Sequence, residues 1–384
     1  MAILNDSNIL NKKFIKVKKK NSSELLIFSP TIEDGGVEKN LYVISDFLSN
    51  KLNRLSVVTA NDNKNKFNKK INFISPKNNK WNKSNRIIKS IICIYMSIKY
   101  YLSQNRKITI LSFNNNLFAI ILGKLLNAKV VIRLNTSLDS YLISFFKKKI
   151  FKIFYNLSDV IIVNSNSMRK ELKNIGLNSI CIYNPIENIN SIFKKSKIKI
   201  KNKFFKKNTF NILNIGRLVK QKDQETLIKS LRYINPQINY RLLIIGDGEE
   251  KKNLIGYIKN KKLNKIVKII NYQKNIYPYI KNSNIFALTS RHEGLPNVLI
   301  ECLALKKIII STNCKTGPSE ILENGKYGKL IKVGDFKKIG NSISEIYEKY
   351  YFYKRKAKKG HLSLDKFDYQ LNCKKYLNII KELL

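Results

Sequence analysis

None of the five cysteines in this 384-residue chain belongs to a Cys-x-x-Cys pair. Cys93, Cys181, Cys302, Cys314 and Cys373 are scattered and odd in number, which argues against a disulfide framework and a zinc site and for a reducing compartment. Long apolar runs are missing too. IIKSIICIYMSIKYYL (87–102) and LFAIILGKLLNAKVVIRL (117–134) are both interrupted by Lys or Arg, short of the ~20 mostly apolar residues a membrane span requires. The opening MAILNDSNILNKKFIKVKKKNSS has no apolar core of signal-peptide length, so a cytoplasmic protein is expected. No repeat of solenoid period is present.

Acidic residues are few: 26 Asp+Glu against 73 Lys+Arg, a net charge of +47. Such charge invites a nucleic-acid reading. However, Lys, Asn and Ile are inflated together, as A/T-rich codon usage would produce. The lysines are spread over many helices instead of forming one stripe, and the aromatics lie in apolar patterns. A basic, non-enzymatic nucleic-acid-binding protein is therefore the minor alternative. Attraction to an anionic membrane surface is retained, because each surface lysine near such lipid contributes ~1 kcal/mol. KFNKKINF to NKWNKSNRIIKS and FFKKKIFKIF (145–154) interleave Lys with apolar residues, as membrane-surface segments do.

A hydrophobic content of 43% supports globular folding, and the length suggests two domains. Short apolar runs alternate with helical patterns: ELLIFS (24–29), RLSVVTA (54–60), KITILSF (107–113), KVVIRLN (129–135) and DVIIVNS (159–165). After a basic stretch at 182–208 a second series follows: FNILNIG (210–216), RLLIIGDG (241–248), KIVKIINY (265–272), NIFALTS (284–290) and KIIISTN (307–313). The alternation predicts two doubly wound parallel α/β domains with the site in the cleft between them, at the carboxyl ends of the strands.

Three strand-end stretches carry the chemistry. In SPTIEDGGVEKNL (29–41), Gly35 and Gly36 open a helix whose amides suit an anion. In NIGRLVKQKDQETL (214–227), Arg217 and Lys222 converge at a strand end and suit a diphosphate. SRHEGLPNVLIECLAL (290–305) contains no lysine, which sets it apart in this chain. There Pro296 is expected at the first helical position, Glu293 lies in the loop before the helix dipole, and Glu301 is placed to accept two hydrogen bonds from a diol. No lysine lies within four positions of Glu301, which weakens an ordinary helix salt bridge as its explanation.

GRLVKQKD with EGLPNVLIE resembles the retaining family 4 glycosyltransferases of the GT-B fold, of the bacterial surface-polysaccharide type. The Glu-x7-Glu spacing is matched by Glu293 and Glu301. FSPTIEDGGVEKNL, NSNSMRKEL, IYNPI, IGDGEEKKNL and STNCKTGPSEIL fall in the same order as in that family. The resemblance covers roughly residues 24 to 384. It implies two Rossmann-like domains facing across a cleft. Residues 1–22 would be an extension, 23–186 an acceptor-binding domain, 187–208 a linker, 209–362 a nucleotide-sugar-binding domain and 363–384 a helix crossing back to the first domain.

The resemblance also implies roles. Arg217 and Lys222 would bind the nucleotide diphosphate, Glu301 the ribose hydroxyls and Glu293 the donor sugar. The amides of Gly294, Leu295, Pro296 and Asn297 would support the sugar and β-phosphate, and Gly35 and Gly36 would close on the phosphates. Many members carry a His in the first domain; here the only two histidines are His292 and His361. Arg133 and Asn135, in VIRLNTSLDS (131–140), are expected as cleft residues in its place. The implied reaction is metal-independent and cofactor-free, matching the lack of Asp-x-Asp. It moves a hexose or N-acetylhexosamine, with a UDP-sugar the favoured donor, to a glycan acceptor that is lipid-linked, in lipopolysaccharide, O-antigen or capsule assembly at the cytoplasmic membrane face. The alternative within the fold is a sugar-nucleotide epimerase.

Overall fold

The computed structural model describes residues 23–33, 35–61, 64–77, 79–102, 104, 106–138, 145–200 and 204–384. The expected extension at 1–22 and the end of the VIRLNTSLDS segment (139–140) lie outside the described residues.

The first half is built on seven strands: β1 (Glu24–Phe28), β2 (Leu55–Val58), β3 (Asn72–Ile74), β4 (Ile108–Ser112), β5 (Lys129–Leu134), β6 (Val160–Val163) and β7 (Ile180–Cys181). They form one sheet in the order β3-β2-β1-β4-β5-β6-β7, and every neighbouring pair is parallel. Around it lie α1 (Gly36–Ser49), α2 (Arg86–Leu102), α3 (Asn116–Leu125), α4 (Phe145–Tyr155) and α5 (Asn166–Asn174). Next comes α6 (Ile189–Ser196). The second half carries β8 (Phe210–Ile215), β9 (Tyr240–Ile245), β10 (Val267–Ile270), β11 (Ile285–Leu288), β12 (Ile308–Thr312) and β13 (Lys329–Ile331). Their order is β10-β9-β8-β11-β12-β13, again all parallel. Its helices are α7 (Gln224–Ser230), α8 (Lys251–Asn260), α9 (Tyr277–Asn282), α10 (Asn297–Ala304), α11 (Pro318–Ile321), α12 (Phe336–Glu348) and α13 (Tyr350–His361), followed by α14 (Tyr369–Leu383). This is the GT-B architecture.

All ten strands expected from the apolar runs are present. The runs are continuous because parallel strands are covered on both faces: β1, β2, β4 and β12 are buried along their whole length. The three strands the sequence does not announce are β3, β7 and β13. Each is two or three residues long and stands at a sheet edge. An edge strand is covered on fewer sides and has no need of an unbroken apolar run.

Strand order reverses between β1 and β4 in the first sheet, and between β8 and β11 in the second. The loops that leave those strands open into a crevice where ligands of doubly wound sheets bind. Helix α14 returns to the first half. Its Cys373, Tyr376, Leu377 and Ile380 are buried with Leu41, Ile44 and Leu48 of α1, and the Thr109 hydroxyl donates to the Leu383 carbonyl at 3.1 Å. The stretch expected as a linker contains α6, which packs on α9. Its Ile192 is wholly buried in the core of the second half. That stretch is partly a packed element because Ile189, Ile192 and Phe193 share one helical face.

Candidate active site

The loops leaving β8 and β11 lie side by side. The Arg291 amide donates to the Gln221 carbonyl at 2.8 Å, and the Gln221 side-chain amide donates to the His292 carbonyl at 2.8 Å. This pairing brings Lys222 to Glu293: its ammonium is 2.5 Å from Glu293 Oε1, and the Ser290 hydroxyl donates to the same oxygen at 2.6 Å. Glu293 is buried and Lys222 largely so, so the attraction acts in a medium of low dielectric. Thr316 holds the Glu293 carbonyl through its hydroxyl. Nearby, burial, with Glu293 adding, pushes the Cys314 thiol up to about 12, so it is a neutral packing group and no nucleophile. His292 is a loop neighbour of Glu293, with its carbonyl holding the loop.

Helix α10 starts at Asn297, and Pro296 is its cap, one position earlier than expected. The role expected of the Pro296 amide is corrected: proline has no N–H to donate, so of the four residues only Gly294, Leu295 and Asn297 have an amide hydrogen to offer. The Leu295 side chain is part of the core. Most of α10 faces inward through Leu299, Ile300, Cys302 and Leu303. Glu301 is buried as well, and a partner the sequence did not suggest reaches it: the Lys39 ammonium of α1 binds Glu301 Oε1. Lys39 also donates to the Tyr277 hydroxyl at 2.7 Å, and that hydroxyl donates to Glu187 Oε2 at 3.0 Å. Burial by itself pulls the Lys39 ammonium down, but Glu301 and Tyr277 together hold it well above its ordinary value. The Lys39 ammonium therefore keeps its proton at every physiological pH.

The first half closes over this site at three further places. Gly35 caps α1, and a Cβ there would stand 2.9 Å from a carboxyl oxygen of Glu38, which folds back over the helix N-terminus. Burial raises Glu38 above the usual carboxylate range against the pull of its backbone-amide bonds. The Asn297 side chain donates to the Gly36 carbonyl at 3.1 Å, so the starts of α1 and α10 meet. Arg217 is half-exposed, and one guanidinium nitrogen is 3.5 Å from Glu33, which Arg86 also grips at 3.0 and 3.2 Å. Finally, Thr136 and Gly294 pair as an isolated antiparallel bridge.

Arg133 is not the cleft residue expected, and Asn135 is half-buried where the two halves meet. Arg133 is only 1% exposed. It donates to the Tyr376 hydroxyl at 2.8 Å, to Asn184 Oδ1 at 2.5 Å and to Asn135 Oδ1. Asn135 spends its remaining amide on the Phe113 carbonyl at 2.7 Å. Asn184 donates onward to the Leu295 carbonyl at 3.1 Å and to Asn297 Oδ1 at 2.6 Å. The Arg133 guanidinium thus lies beneath the cleft, because the strand that carries it is covered by α14, and it braces the α10 entrance from below.

The sequence reading also missed Lys39, Glu33, Tyr277, Glu187 and Asn184. One signal was available for Lys39: it stands four residues after Gly35, one turn into α1, on the side that faces the cleft. A Gly294→Ala substitution tests the closure. The added Cβ would lie 1.9 Å from the Asn135 carbonyl oxygen, so the two halves must part locally. Overpacking of this kind costs about 1–3 kcal/mol. The variant should melt several degrees below the parent and lose most activity; an unchanged melt would mean the two backbones do not touch in solution.

Among the described residues, no group of three His, Cys, Asp or Glu side chains is placed to hold a metal ion.

Two family models match the chain, Glycosyltransferase Family 4 over residues 34–188 and Glycosyl transferases group 1 over residues 195–361. An uncharacterized glycosyltransferase of Methanocaldococcus jannaschii is 35% identical over 52% of this chain and 54% of its own. The N-acetylgalactosamine-N,N'-diacetylbacillosaminyl-diphospho-undecaprenol 4-alpha-N-acetylgalactosaminyltransferase of Campylobacter jejuni is 30% identical over 61% of this chain and 64% of its own. The alignments thus span about three-fifths of these curated relatives. Among solved structures, Anabaena HepE in complex with UDP-glucose superposes with a TM-score of 0.78 at 19% identity, covering 94% of this chain and 100% of the other. At that identity the likeness speaks for the fold.

Proposed function

The chain belongs to family 4 of the GT-B glycosyltransferases, and on that premise we propose that it moves a hexose or N-acetylhexosamine, with retention, from a UDP-sugar to a lipid-linked glycan acceptor in surface-polysaccharide assembly. The observation that carries the reading is the meeting of Lys222 and Glu293 beside the N-terminus of α10, with Arg217 in the same loop as Lys222. A cation pair and a helix N-terminus stabilise the charge that develops on a departing diphosphate. Glu293 is assigned to the donor sugar and Glu301 to the ribose diol. The sugar would pass through an oxocarbenium-like state, and the acceptor hydroxyl would attack from the face the diphosphate leaves.

The donor and acceptor classes draw support from the comparisons. The HepE structure was solved with UDP-glucose, and the Campylobacter relative is named for an undecaprenol-linked acceptor. Erwinia amylovora AmsD, 30% identical over 54% of this chain and 59% of its own, is named for amylovoran biosynthesis. A lipid-linked acceptor would bring the protein to the cytoplasmic membrane face. Among the described residues no helix is long and apolar enough to cross a membrane.

Calorimetry with UDP, GDP and ADP in the absence of divalent metal tests the proposal. UDP should bind best. Arg217→Ala should weaken it about ten- to a hundredfold, the value of a charged hydrogen bond of ~1.5–3 kcal/mol. Preference for GDP would move the donor class and leave transfer standing. Binding of none of the three would remove the reading.

A further inference from the structure

No donor role is assigned to NSNSMRKEL (164–172), which opens α5, or to STNCKTGPSEIL (311–322), which runs from the end of β12 through α11. The structure joins the two around the backbone of Glu293. The Glu293 carbonyl is held from both halves. The Ser137 amide of the first half donates to it at 3.4 Å, and the Thr316 hydroxyl of the second half donates to it as well. The next residue is wedged in the same way. A Cβ on Gly294 would stand 1.9 Å from the Asn135 carbonyl oxygen, and one on Gly317 would stand 2.5 Å from the Gly294 carbonyl oxygen. Glu293 and Gly294 thus lie between two segments, 135–138 and 315–317, and can be no better placed than those segments are.

One carboxylate holds both segments. Glu171, on α5, has a side chain only 9% exposed. It accepts the Ser137 hydroxyl at 3.1 Å and the Leu138 amide at 3.2 Å, and the Lys315 ammonium stands 3.4 Å from its Oε1. Hydrogen bonds to an ionised acceptor are roughly twice as strong as neutral ones. The helix that carries Glu171 is in turn fixed from the opposite half. Glu320, on α11, sets its carboxylate on the first amides of α5, those of Asn166 and Ser167, at 2.8 and 3.2 Å. It also accepts the Ser167 hydroxyl at 3.1 Å and the Tyr183 hydroxyl at 2.5 Å. A negative group there satisfies amides that have no partner within the helix and meets the positive end of its dipole. Helix α5 is therefore tied to the second half at its start, and it grips both flanks of Glu293 further along.

We propose that Glu171 is a positioning residue for sugar transfer: through Ser137 and Lys315 it fixes the backbone of Glu293 and Gly294, with Glu320 holding α5 in place. This deepens the reading above and rests on it for the task of Glu293 alone. Loss of Glu171 leaves Arg217 and Lys222 present, so it should spare nucleotide binding and disturb what the sugar meets. Misplacing a reacting group by about 1 Å costs about a hundredfold in rate.

Hydrogen–deuterium exchange of the full chain tests the hold without any ligand. In Glu171→Ala, peptides covering 290–297 should exchange about ten- to a hundredfold faster than in the parent, the value of one charged hydrogen bond, while those of β1 and β8 keep the parent's rates. Glu171→Gln keeps the size and an acceptor oxygen, so it should fall between the two and serves if the alanine variant does not fold. Lys170→Ala, at an exposed position of the same helix, should match the parent. By calorimetry both Glu171 variants should bind UDP within about threefold of the parent, whereas kcat for UDP release from UDP-glucose or UDP-N-acetylglucosamine should drop by about tenfold or more at unchanged KM. Parental exchange at 290–297 in both Glu171 variants overturns the proposal. So does faster exchange spread evenly over the molecule, which is what a carboxylate of general structural value would give. A loosened loop with kcat within about threefold of the parent overturns it too. A parent that neither binds UDP nor releases it fails the transferase reading instead. A local rise in exchange at 290–297 would then still support the hold of α5 on the loop, and no rise would overturn it.

Discussion

Lys222→Ala should lower kcat by about two to three orders of magnitude, the usual effect of removing one preorganised donor from a developing negative charge. The same change should also destabilise the fold, because Lys222 has two tasks. Its ammonium is 2.5 Å from a buried carboxylate oxygen of Glu293, and its removal leaves that carboxylate with the Ser290 hydroxyl but no counter-charge. Breaking a buried pair from one side costs about 3–5 kcal/mol. The two effects come apart in Lys222→Met/Glu293→Gln, in which both charges are gone. That variant should regain most of the parent's thermal stability and none of its kcat. Glu293→Gln alone should hold UDP at least as well as the parent, since the ammonium is released to the phosphates, while kcat falls. Steady-state kinetics with a fixed donor, read beside thermal melts of the three variants, decides the matter. Recovery of kcat in the double variant would make the pair purely structural. A kcat of Lys222→Ala within tenfold of the parent would remove Lys222 from the chemistry.

How far this site was legible depends on which contacts are local. NIFALTS is a strand, RHEGLPN its exit and NVLIECLAL a helix, so Glu293 and Glu301 could be placed by spacing alone, to within the one residue by which α10 starts later than expected. The glycines and the cations after β8 followed from the same alternation of apolar runs, whereas the crossing of the last helix came from the family resemblance. What pattern could not supply is the counter-charge. Glu301 has no lysine near it in sequence, yet its partner Lys39 lies 262 positions away and meets it only because the halves close on each other. Glu33 on Arg217 is a second pairing of the same kind. In both, a group assigned to the donor is held by an opposite charge from the other half. A donor entering the cleft must therefore replace or share these contacts, an energetic condition that no single motif records. Short edge strands went unseen for a related reason. A strand such as β7, two residues long and half exposed, leaves no apolar signature to read.

Arg133 is the residue whose role changed most between sequence and structure, and Arg133→Met should be among the most destabilising single substitutions in the chain. The family resemblance of VIRLNTSLDS, with no His in the first half, suggested a cleft residue. The structure instead buries the guanidinium with three acceptors: the Tyr376 hydroxyl of α14, Asn184 Oδ1 and Asn135 Oδ1. Among the described residues no carboxylate stands within ion-pair distance of it. Met is similar in length and apolar, so the cavity is small and desolvation of the cation is relieved. Against that gain, two buried acceptors, Tyr376 and Asn184, and the half-buried Asn135 lose their donor, at about 1–3 kcal/mol for each buried one. Two of them tie separate parts of the molecule together, Tyr376 binding the crossover helix to the first sheet and Asn184 binding the junction between halves to the α10 entrance through Leu295 and Asn297. The loss should therefore be large in thermal melts and should be accompanied by early proteolysis at the C-terminal helix. Tyr376→Phe removes one of the three bonds and should cost a fraction of it. If the Arg133 hub acts as one network, Arg133→Met/Tyr376→Phe should be less destabilising than the sum of the two single variants. A melt of Arg133→Met within a degree of the parent would show that the buried cation is no more than tolerated, and the cleft role expected from sequence would then need to be tested directly.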